Sequence, residues 1–197
     1  VWLSGLTRGS LKQALIRIGF PVDDRGGFID GDPLEVRMRE RTAGGRDFVL
    51  RAYQEAAARA FYAGGTVDGG SGVVVLPCGA GKTIVGMAVM SLVGTKTLVL
   101  TTNTVAVRQW REELLDKTHL GAKDVGEYTG DLKEVRPVTV TTYQILTYHR
   151  RKKGGANDGG QEYPHLDLFT SRDWGLIIYD EVHLLPAPVF RITAEIQ

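Results

Sequence analysis

A short glycine-rich loop, set between an apolar run and a helical pattern, constrains this chain more than any other feature. Residues 73–76 read VVVL, residues 77–83 read PCGAGKT, and a helical pattern follows to residue 93. Glycines let backbone N–H groups curl around an anion, because a Cβ atom would block the approach, and the next helix presents its positive N-terminus to the same anion. The sequence therefore predicts a phosphate-binding loop. Its residues are Pro77, Cys78, Gly79, Ala80, Gly81, Lys82 and Thr83.

Two side chains of this loop suit nucleotide chemistry. Lys82 can reach the β and γ phosphates of a nucleotide, and the Thr83 hydroxyl can ligate Mg²⁺. The loop departs from the general pattern at Leu76, where that pattern has glycine. The alternative is a glycine turn with an incidental lysine. We disfavour it because the loop stands between a strand pattern and a helix pattern, which is the context in which the motif carries meaning.

Composition excludes few classes of protein. Cys78 is the only cysteine, so no internal disulfide can form and a reducing cytosol is expected. No base is evident near it in the sequence, which favours a packed loop thiol over a nucleophile. There is no signal peptide and no apolar run of about 18 or more residues, so no membrane association is predicted. The formal charge of +1 neither demands nor excludes a nucleic-acid partner, which needs local rather than net charge.

Apolar runs and helical patterns alternate along the chain. The runs at residues 73–76, 97–100, 138–141 and 176–179 are unalternated and rich in Val, Ile and Leu, which is typical of strands buried on both faces of a parallel sheet. Helical patterns at residues 83–93 and 105–116 separate some of them. An earlier helical pattern ends at Gly64 and Gly65, with Tyr53, Ala57, Ala60 and Phe61 on one face. The chain is therefore predicted to form an α/β layered domain with right-handed crossovers.

The last apolar run leads into a second acidic motif, Asp180-Glu181-Val182-His183. Ligands gather at the carboxyl edge of a parallel sheet, where such carboxylates would stand. Asp180 would then hold the Mg²⁺ shell, and Glu181 would orient and deprotonate an attacking water. A metal-ligand role for His183 is disfavoured, because no His or Cys is spaced to join it. An ordinary surface turn is the alternative, and the upstream phosphate loop weighs against it.

Together these motifs resemble superfamily 2 helicases and translocases, and within them the XPB branch of DNA repair and transcription helicases. The sequence LRAYQ at residues 50–54 resembles the element at the start of that motor, and WGLIIYDEVHLLPA at residues 174–187 resembles its second motif. The resemblance implies a RecA-like P-loop NTPase domain, a mostly parallel sheet flanked by helices, over residues 47–197. Residues 1–46 would be an N-terminal arm or the tail of a preceding domain. It also implies ATP and Mg²⁺ as cofactors, DNA held mainly by its backbone, and a bacterial or archaeal cytosol.

The resemblance assigns further roles residue by residue. Gln54 would help recognise adenine, and Arg51 would lie near the nucleotide. Lys82 and Glu181 would be catalytic, and His183 would couple nucleotide to movement. The residues assigned to nucleic-acid binding are Thr102, Asn103, Arg108, Gly130, Thr141 and Thr142.

Some of these assignments have a plainer alternative. For the threonine-rich stretches it is helix capping, which residue type alone favours. Trp110 shares a helical face with Val107 and Leu114, which favours a packed core residue over a base-stacking one. The run HRRKK at residues 149–153 is either a solvated surface loop or a basic arm on a phosphate backbone.

Several parts of such a motor are missing from the sequence. The Ser/Thr-Ala-Thr motif, the Arg-Glu-Asp motif and the second motor lobe with its arginines are absent, and the chain ends at Gln197 inside a helical pattern. We therefore expect a piece of a longer protein that hydrolyses ATP poorly alone, with that second lobe as its main partner and a nuclease or repair protein as a further one. The alternatives are another superfamily 2 motor (a restriction-type translocase or an RNA helicase), a different P-loop enzyme such as a kinase, or a non-catalytic nucleic-acid-binding module.

Overall fold

The computed structural model describes residues 31–65, 69–148, 150–151, 161–162, 165 and 167–184. The chain divides into two compact units, residues 29–180 and residues 1–28 with 181–197. Each unit is described by itself, and only residues 181–184 of the second are described. The predicted arm before residue 31 and most of the basic run at residues 149–153 lie outside the described residues.

A four-stranded parallel sheet in the order β2-β3-β1-β6 forms the centre of the larger unit. The register aligns Thr97 of β1 with Val138 of β3 and Leu176 of β6, so these three strands start at one level. A two-stranded antiparallel pair, β4 with β5, forms a separate small sheet. The strands are β1 (Thr97–Thr101), β2 (Val125–Tyr128), β3 (Val138–Thr142), β4 (Arg150–Arg151), β5 (Gln161–Glu162) and β6 (Leu176–Tyr179).

Helices connect and cover the strands of this sheet. The helix that follows β1 packs against β1, β2 and β3, and the helix that precedes β1 contacts β6 and two other helices. The helices are α1 (Ala52–Tyr62), α2 (Lys82–Val93), α3 (Thr104–Lys117), α4 (Tyr143–Thr147) and α5 (Asp167–Thr170). The α/β fold with a mostly parallel sheet predicted from the sequence is confirmed. Among the described residues, none of these helices combines the length and hydropathy needed to cross a bilayer.

The core lies between the sheet and its helices, and it contains hydroxyl groups as well as aliphatic side chains. All residues of β1 and β3 are buried. The buried Thr101 donates its hydroxyl to the carbonyl of Thr141, and Thr139 donates to the carbonyl of Arg136. Buried hydroxyls need such partners, because an unpaired one costs about 1–3 kcal/mol. Threonine is therefore tolerated inside strands that sequence patterning treats as wholly apolar.

Residues 32–46 pack along one end of the larger unit. Leu34 donates its N–H to the carbonyl of Gly94 at the end of α2, and Arg39 donates its N–H to the carbonyl of Lys117 at the end of α3. Val36 is 3% exposed and belongs to the main core. These contacts anchor the stretch to both helix ends, and the domain boundary after residue 46 stays a prediction.

One sequence prediction about local structure is wrong, and a second is confirmed only in part. Residues 73–76 are not a strand, because no strand among the described residues pairs with them, and Val73 and Val75 are 75% and 86% exposed. An apolar run supplies β-propensity, but a strand also requires a neighbour for its backbone groups. The buried residues of α1 are Gln54 and Ala58, whereas Tyr53 and Ala60 are exposed. Ala57 and Phe61 of the predicted face are half-buried and pack against the core, so that face is confirmed in part. The buried glutamine was not predicted.

Replacement of Gly175 by alanine tests the close packing at the start of β6. An added Cβ atom would lie 2.4–2.8 Å from three side-chain atoms of Thr95, so Gly175→Ala should destabilise the protein by about 1–3 kcal/mol. The measurement is urea unfolding followed by circular dichroism. Gly44→Ala is the matched control, since the nearest atom to its added Cβ is 3.7 Å away, and it should change stability by less than about 0.5 kcal/mol. Equal midpoints for both variants would contradict the packing argument.

Candidate nucleotide site

The predicted phosphate loop folds as a tight turn followed directly by helix α2. The N–H of Ala80 donates to the carbonyl of Pro77 at 3.2 Å, with Gly79 at φ 76° inside the turn. Gly81 caps α2 in the left-handed region at φ 81° and ψ 48°. Residues with a Cβ atom rarely adopt these conformations, so both glycines are required by the backbone path. The loop thus leads directly into α2. A helix does not use its own first-turn N–H groups in i to i−4 hydrogen bonds.

Helix α1 holds this loop from one side. Tyr53 Oη and Gln54 Nε2 both donate to the carbonyl oxygen of Ala80, at 2.7 and 3.0 Å. Gln54 Oε1 accepts from the N–H of Arg51 at 3.0 Å and so caps its own helix. Gln54 is only 5% exposed, and a Cβ atom on Gly81 would lie 2.5 Å from its Nε2. Sequence reasoning missed the role of Tyr53, and the adenine contact of Gln54 stays a prediction.

Lys82 and Thr83 occupy the first two positions of α2 and are half-buried. Both are therefore placed at the helix end where an anion would bind. Cys78 is exposed, so the prediction of a packed thiol is wrong. It occupies the turn between Pro77 and Ala80, where no neighbouring element covers it among the described residues.

Asp180 stands directly after β6 and is fixed by three hydrogen bonds. Its N–H donates to the carbonyl of Leu100 at 2.9 Å, and its own carbonyl accepts from Tyr143 Oη at 2.7 Å. Its carboxylate Oδ2 accepts from Trp110 Nε1 at 2.8 Å. Trp110 is 3% exposed, which confirms its prediction as a packed residue, but its bond to Asp180 was missed. A buried indole N–H needs an acceptor, and that requirement is the signal that could have found it.

Glu181 and His183 belong to the second unit. Glu181 adopts φ 52°, an uncommon conformation for a residue with a side chain. A 3₁₀ turn at Val182–Leu184 follows, with the N–H of Leu184 donating to the carbonyl of Glu181 at 2.9 Å. His183 Nδ1 lies 3.4 Å from Glu181 Oε2. The catalytic role of Glu181 and the coupling role of His183 stay predictions.

The residues predicted to bind nucleic acid after β1 lie at the start of α3. Asn103 Oδ1 accepts from the N–H of Ala106 at 2.9 Å, which makes it the helix N-cap. The carbonyl of Thr102 accepts from Gln144 Nε2 at 2.7 Å, which ties this turn to α4. Arg108 is exposed on the second turn of α3. An exposed cation beside a capped helix N-terminus is suited to a phosphate backbone.

The residues predicted to bind nucleic acid near β2 and β3 differ in exposure. Thr141 is fully buried and donates its hydroxyl to the carbonyl of Tyr128 at 2.7 Å, so this hydroxyl belongs to the sheet. Thr142 is 5% exposed and accepts from the N–H of Ile145 at 3.4 Å as the cap of α4. Gly130 is exposed. The capping alternative thus describes Thr142 in this structure, and the nucleic-acid role of these residues stays a prediction.

Two ionisable groups flank the loop that carries Gly130. Burial raises the pKa of Tyr128, and the charge of Asp167 adds to the effect. Burial lowers the pKa of Lys133, opposed by the charge of Asp131. Lys133 Nζ lies 4.6 Å from the centre of the Tyr128 ring, and Tyr128 Oη lies 3.0 Å from His165 Nδ1. The loop therefore carries a cation held against an aromatic face.

The fold and the loop together define a RecA-like P-loop nucleotide-binding domain. The UvsW helicase structure from bacteriophage T4 matches this fold with a TM-score of 0.60 at 16% identity, over 98% of this chain and 67% of that one. Residues 47–196 match the family described as "Type III restriction enzyme, res subunit". The chain belongs to this family and, within it, to the XPB branch of superfamily 2 helicases.

Two bacterial relatives are both named "DNA 3'-5' helicase XPB". The Mycobacterium tuberculosis protein is 53% identical over 190 residues, which is 96% of this chain and 31% of the relative. The Kineococcus radiotolerans protein is 51% identical over 190 residues, with the same two coverages. The chain therefore spans less than a third of the length of these relatives.

Replacement of Asn103 tests the start of α3. Asn103→Ala removes the side-chain acceptor for the N–H of Ala106 and should destabilise the protein by about 1 kcal/mol. Asn103→Asp keeps an oxygen at the same place and should retain most of the stability. Thermal unfolding of the three proteins side by side is the measurement. A wild-type midpoint for Asn103→Ala would mean that the cap contributes nothing.

Proposed function

We propose that this chain is the ATP-binding lobe of a DNA helicase or translocase, and that Mg²⁺-bound ATP lies on the loop before α2. The observation that carries the proposal is the backbone of that loop, in which Gly79 and Gly81 take left-handed conformations directly before the N-terminus of α2. Such a turn directs N–H groups and the helix dipole at one anion. A side chain at Gly79 is strained by its φ, and one at Gly81 would also strike Gln54.

The side chains present fit both ATP and Mg²⁺. Lys82 and Thr83 stand at the start of α2, and Asp180 stands at the end of β6, which contacts α2. The Thr83 hydroxyl and the Asp180 carboxylate suit Mg²⁺, which is commonly held by one or two carboxylates together with nucleotide phosphates and waters.

The proposed role of each residue follows from the chemistry of its side chain. Lys82 would neutralise charge on the terminal phosphates, and the Thr83 hydroxyl with the Asp180 carboxylate would hold the cation. Glu181 would orient water and accept its proton. Mg²⁺-bound ATP supplies the phosphoryl group whose transfer to water releases the free energy for movement. Tyr53 and Gln54 would fix the loop from α1 through the Ala80 carbonyl.

DNA would lie along the start of α3 in this proposal. Thr102 and Asn103 offer polar groups at a helix N-terminus, and Arg108 adds an exposed cation on the second turn of α3. Phosphate contacts of this kind carry no sequence information, which suits a motor that grips every sequence alike. The names of the two bacterial relatives, which include "DNA 3'-5' helicase", support DNA as the substrate and 3'-to-5' as the direction of travel.

The relatives also bear on the alternatives. Their names do not favour an RNA helicase, a different P-loop enzyme or a non-catalytic module. Because this chain spans 31% of each, we propose that full turnover needs a second motor lobe in the same protein. An arginine supplied from another domain raises phosphoryl transfer by about 10³-fold or more in related machines. A nuclease or repair partner and a cytosolic location remain predictions from the sequence.

ATP turnover, measured with and without duplex DNA, tests the proposed function. A longer form that includes the second lobe should hydrolyse ATP faster with DNA, and Lys82→Ala should lower that rate about 10²-fold or more, since it removes charge stabilisation of the transferred phosphate. Lys123→Ala, at an exposed lysine outside the site, is the matched control and should keep the wild-type rate. This chain alone should bind a fluorescent ATP analogue but turn ATP over slowly.

Two results would count against the proposal. Equal turnover by this chain and by the longer form would contradict the need for a second lobe. Absence of nucleotide binding and turnover in both would contradict an ATP-driven motor and favour the binding-module alternative.

The salt dependence of DNA binding tests the proposed role of Arg108. Loss of one phosphate contact in Arg108→Ala should reduce the slope of log affinity against log salt by about 0.9. Arg46→Ala removes another exposed arginine, from the turn before α1, and should leave the slope unchanged. Fluorescence anisotropy with a labelled duplex at several salt concentrations gives both slopes. The same slope for Arg108→Ala and wild type would exclude a phosphate contact at this residue.

A further inference from the structure

We propose that Trp110 is a positioning residue for the nucleotide site, since its indole N–H holds the Asp180 carboxylate in the orientation that receives Mg²⁺. The inference rests on the proposed function, because it concerns the same cation. It adds a residue from helix α3 to a site otherwise built from α1, α2 and the end of β6.

The contact itself is a partly buried hydrogen bond to a carboxylate. Trp110 Nε1 donates to Asp180 Oδ2 at 2.8 Å, across 70 residues of sequence. Trp110 is 3% exposed and Asp180 is half-buried, so water competes weakly for the indole N–H. Bonds to an ionised acceptor are stronger than neutral ones, and the tryptophan indole can only donate. A carboxylate has about four lone-pair sites, so this bond is compatible with a cation on the same group.

The indole ring is held in place by its surroundings. Gly86 of α2 faces it, and a Cβ atom there would lie 2.7 Å from Trp110 Cη2. The ring thus occupies the space that any other residue at position 86 would fill. Val107 and Leu114 are fully buried in the same core cluster. A donor held this rigidly constrains the orientation of its acceptor.

The backbone of Asp180 is already fixed, so only its side-chain torsions can still change the position of the carboxylate. Its N–H bonds to Leu100, and its carbonyl bonds to Tyr143. With both backbone groups fixed, the side-chain torsions decide where the carboxylate oxygens lie. The indole bond restricts these torsions. Outer-shell partners that orient a metal-binding group in this way typically contribute about 10–100-fold to metal affinity.

The position of Trp110 along α3 gives the contact a further consequence. The helix starts beside Thr102 and Asn103, which are the proposed DNA contacts, and reaches Trp110 in its second turn. The helix that would touch DNA is therefore the helix that holds the metal-binding carboxylate.

The matched variants Trp110→Phe and Trp174→Phe test the proposal. Each keeps an aromatic ring and removes one indole N–H. Trp174 Nε1 donates to the carbonyl of Leu168 at 2.9 Å, before the start of β6 and away from Asp180. The measurement is binding of a fluorescent ATP analogue at fixed concentration, titrated with Mg²⁺, after circular dichroism has shown that each variant is folded.

Trp110→Phe should need about tenfold or more Mg²⁺ to reach half-maximal nucleotide binding. Its binding in the presence of a chelator should equal that of wild type, since the indole acts only through the carboxylate. Trp174→Phe should match wild type in the Mg²⁺ midpoint and in the nucleotide binding measured with the chelator. A Mg²⁺ midpoint for Trp110→Phe within twofold of wild type would overturn the positioning role alone. No nucleotide binding by wild type would overturn the proposed function and this inference with it.

A spectroscopic measurement on the unaltered indole covers the case in which Trp110→Phe does not fold. The chain has three tryptophans, so ¹⁵N-labelled protein gives three indole signals, and Trp2→Phe and Trp174→Phe assign that of Trp110 by elimination. Addition of Mg²⁺ with the ATP analogue should shift the Trp110 signal and leave the Trp174 signal in place. An unmoved Trp110 signal at saturating nucleotide would overturn the proposal.

Discussion

The parallel register of β1, β3 and β6 is the constraint on which the rest of the structure depends. Thr101 pairs with Thr142, and Leu100 pairs with Tyr179, so the three strands reach one level at their carboxyl ends. Parallel strands need crossover connections, so each strand end is followed by a new element that starts at the same edge. This is why the cap of α3, the cap of α4 and the residue Asp180 meet there, although they are far apart in the sequence.

The polar groups at this edge stabilise one another. The side chain of Gln144 bonds to the turn after β1, the hydroxyl of Tyr143 bonds to the backbone of Asp180, and the indole of Trp110 bonds to its carboxylate. The threonine hydroxyls inside the sheet likewise donate to neighbouring carbonyls. Buried polar networks with satisfied partners hold a single arrangement, because breaking one bond leaves its partner unpaired. The carboxyl edge of the sheet is thus held in one arrangement by hydrogen bonds from several elements.

The residues at which sequence reasoning failed have one property in common. Residues 73–76 have the composition of a buried strand, but they have no neighbour for their backbone groups in the described structure. Gln54 is buried because its amide caps α1 and bonds to Ala80, whereas Tyr53 lies outside and reaches the same carbonyl. In each case the outcome depended on a partner from another segment. Composition and periodicity describe a segment by itself, so they could not supply that partner.

The sequence by itself determined the strands β1, β3 and β6, the helices α1 to α3, the glycine turn before α2 and the placement of a carboxylate directly after β6. These features are local, since they follow from periodicity, from backbone conformations that only glycine adopts readily, and from adjacency along the chain. Only the tertiary structure decided that Thr141 turns its hydroxyl into the sheet and that Trp110 meets Asp180. Such contacts are set by strand register and helix packing, which bring together groups 70 residues apart that no local pattern relates.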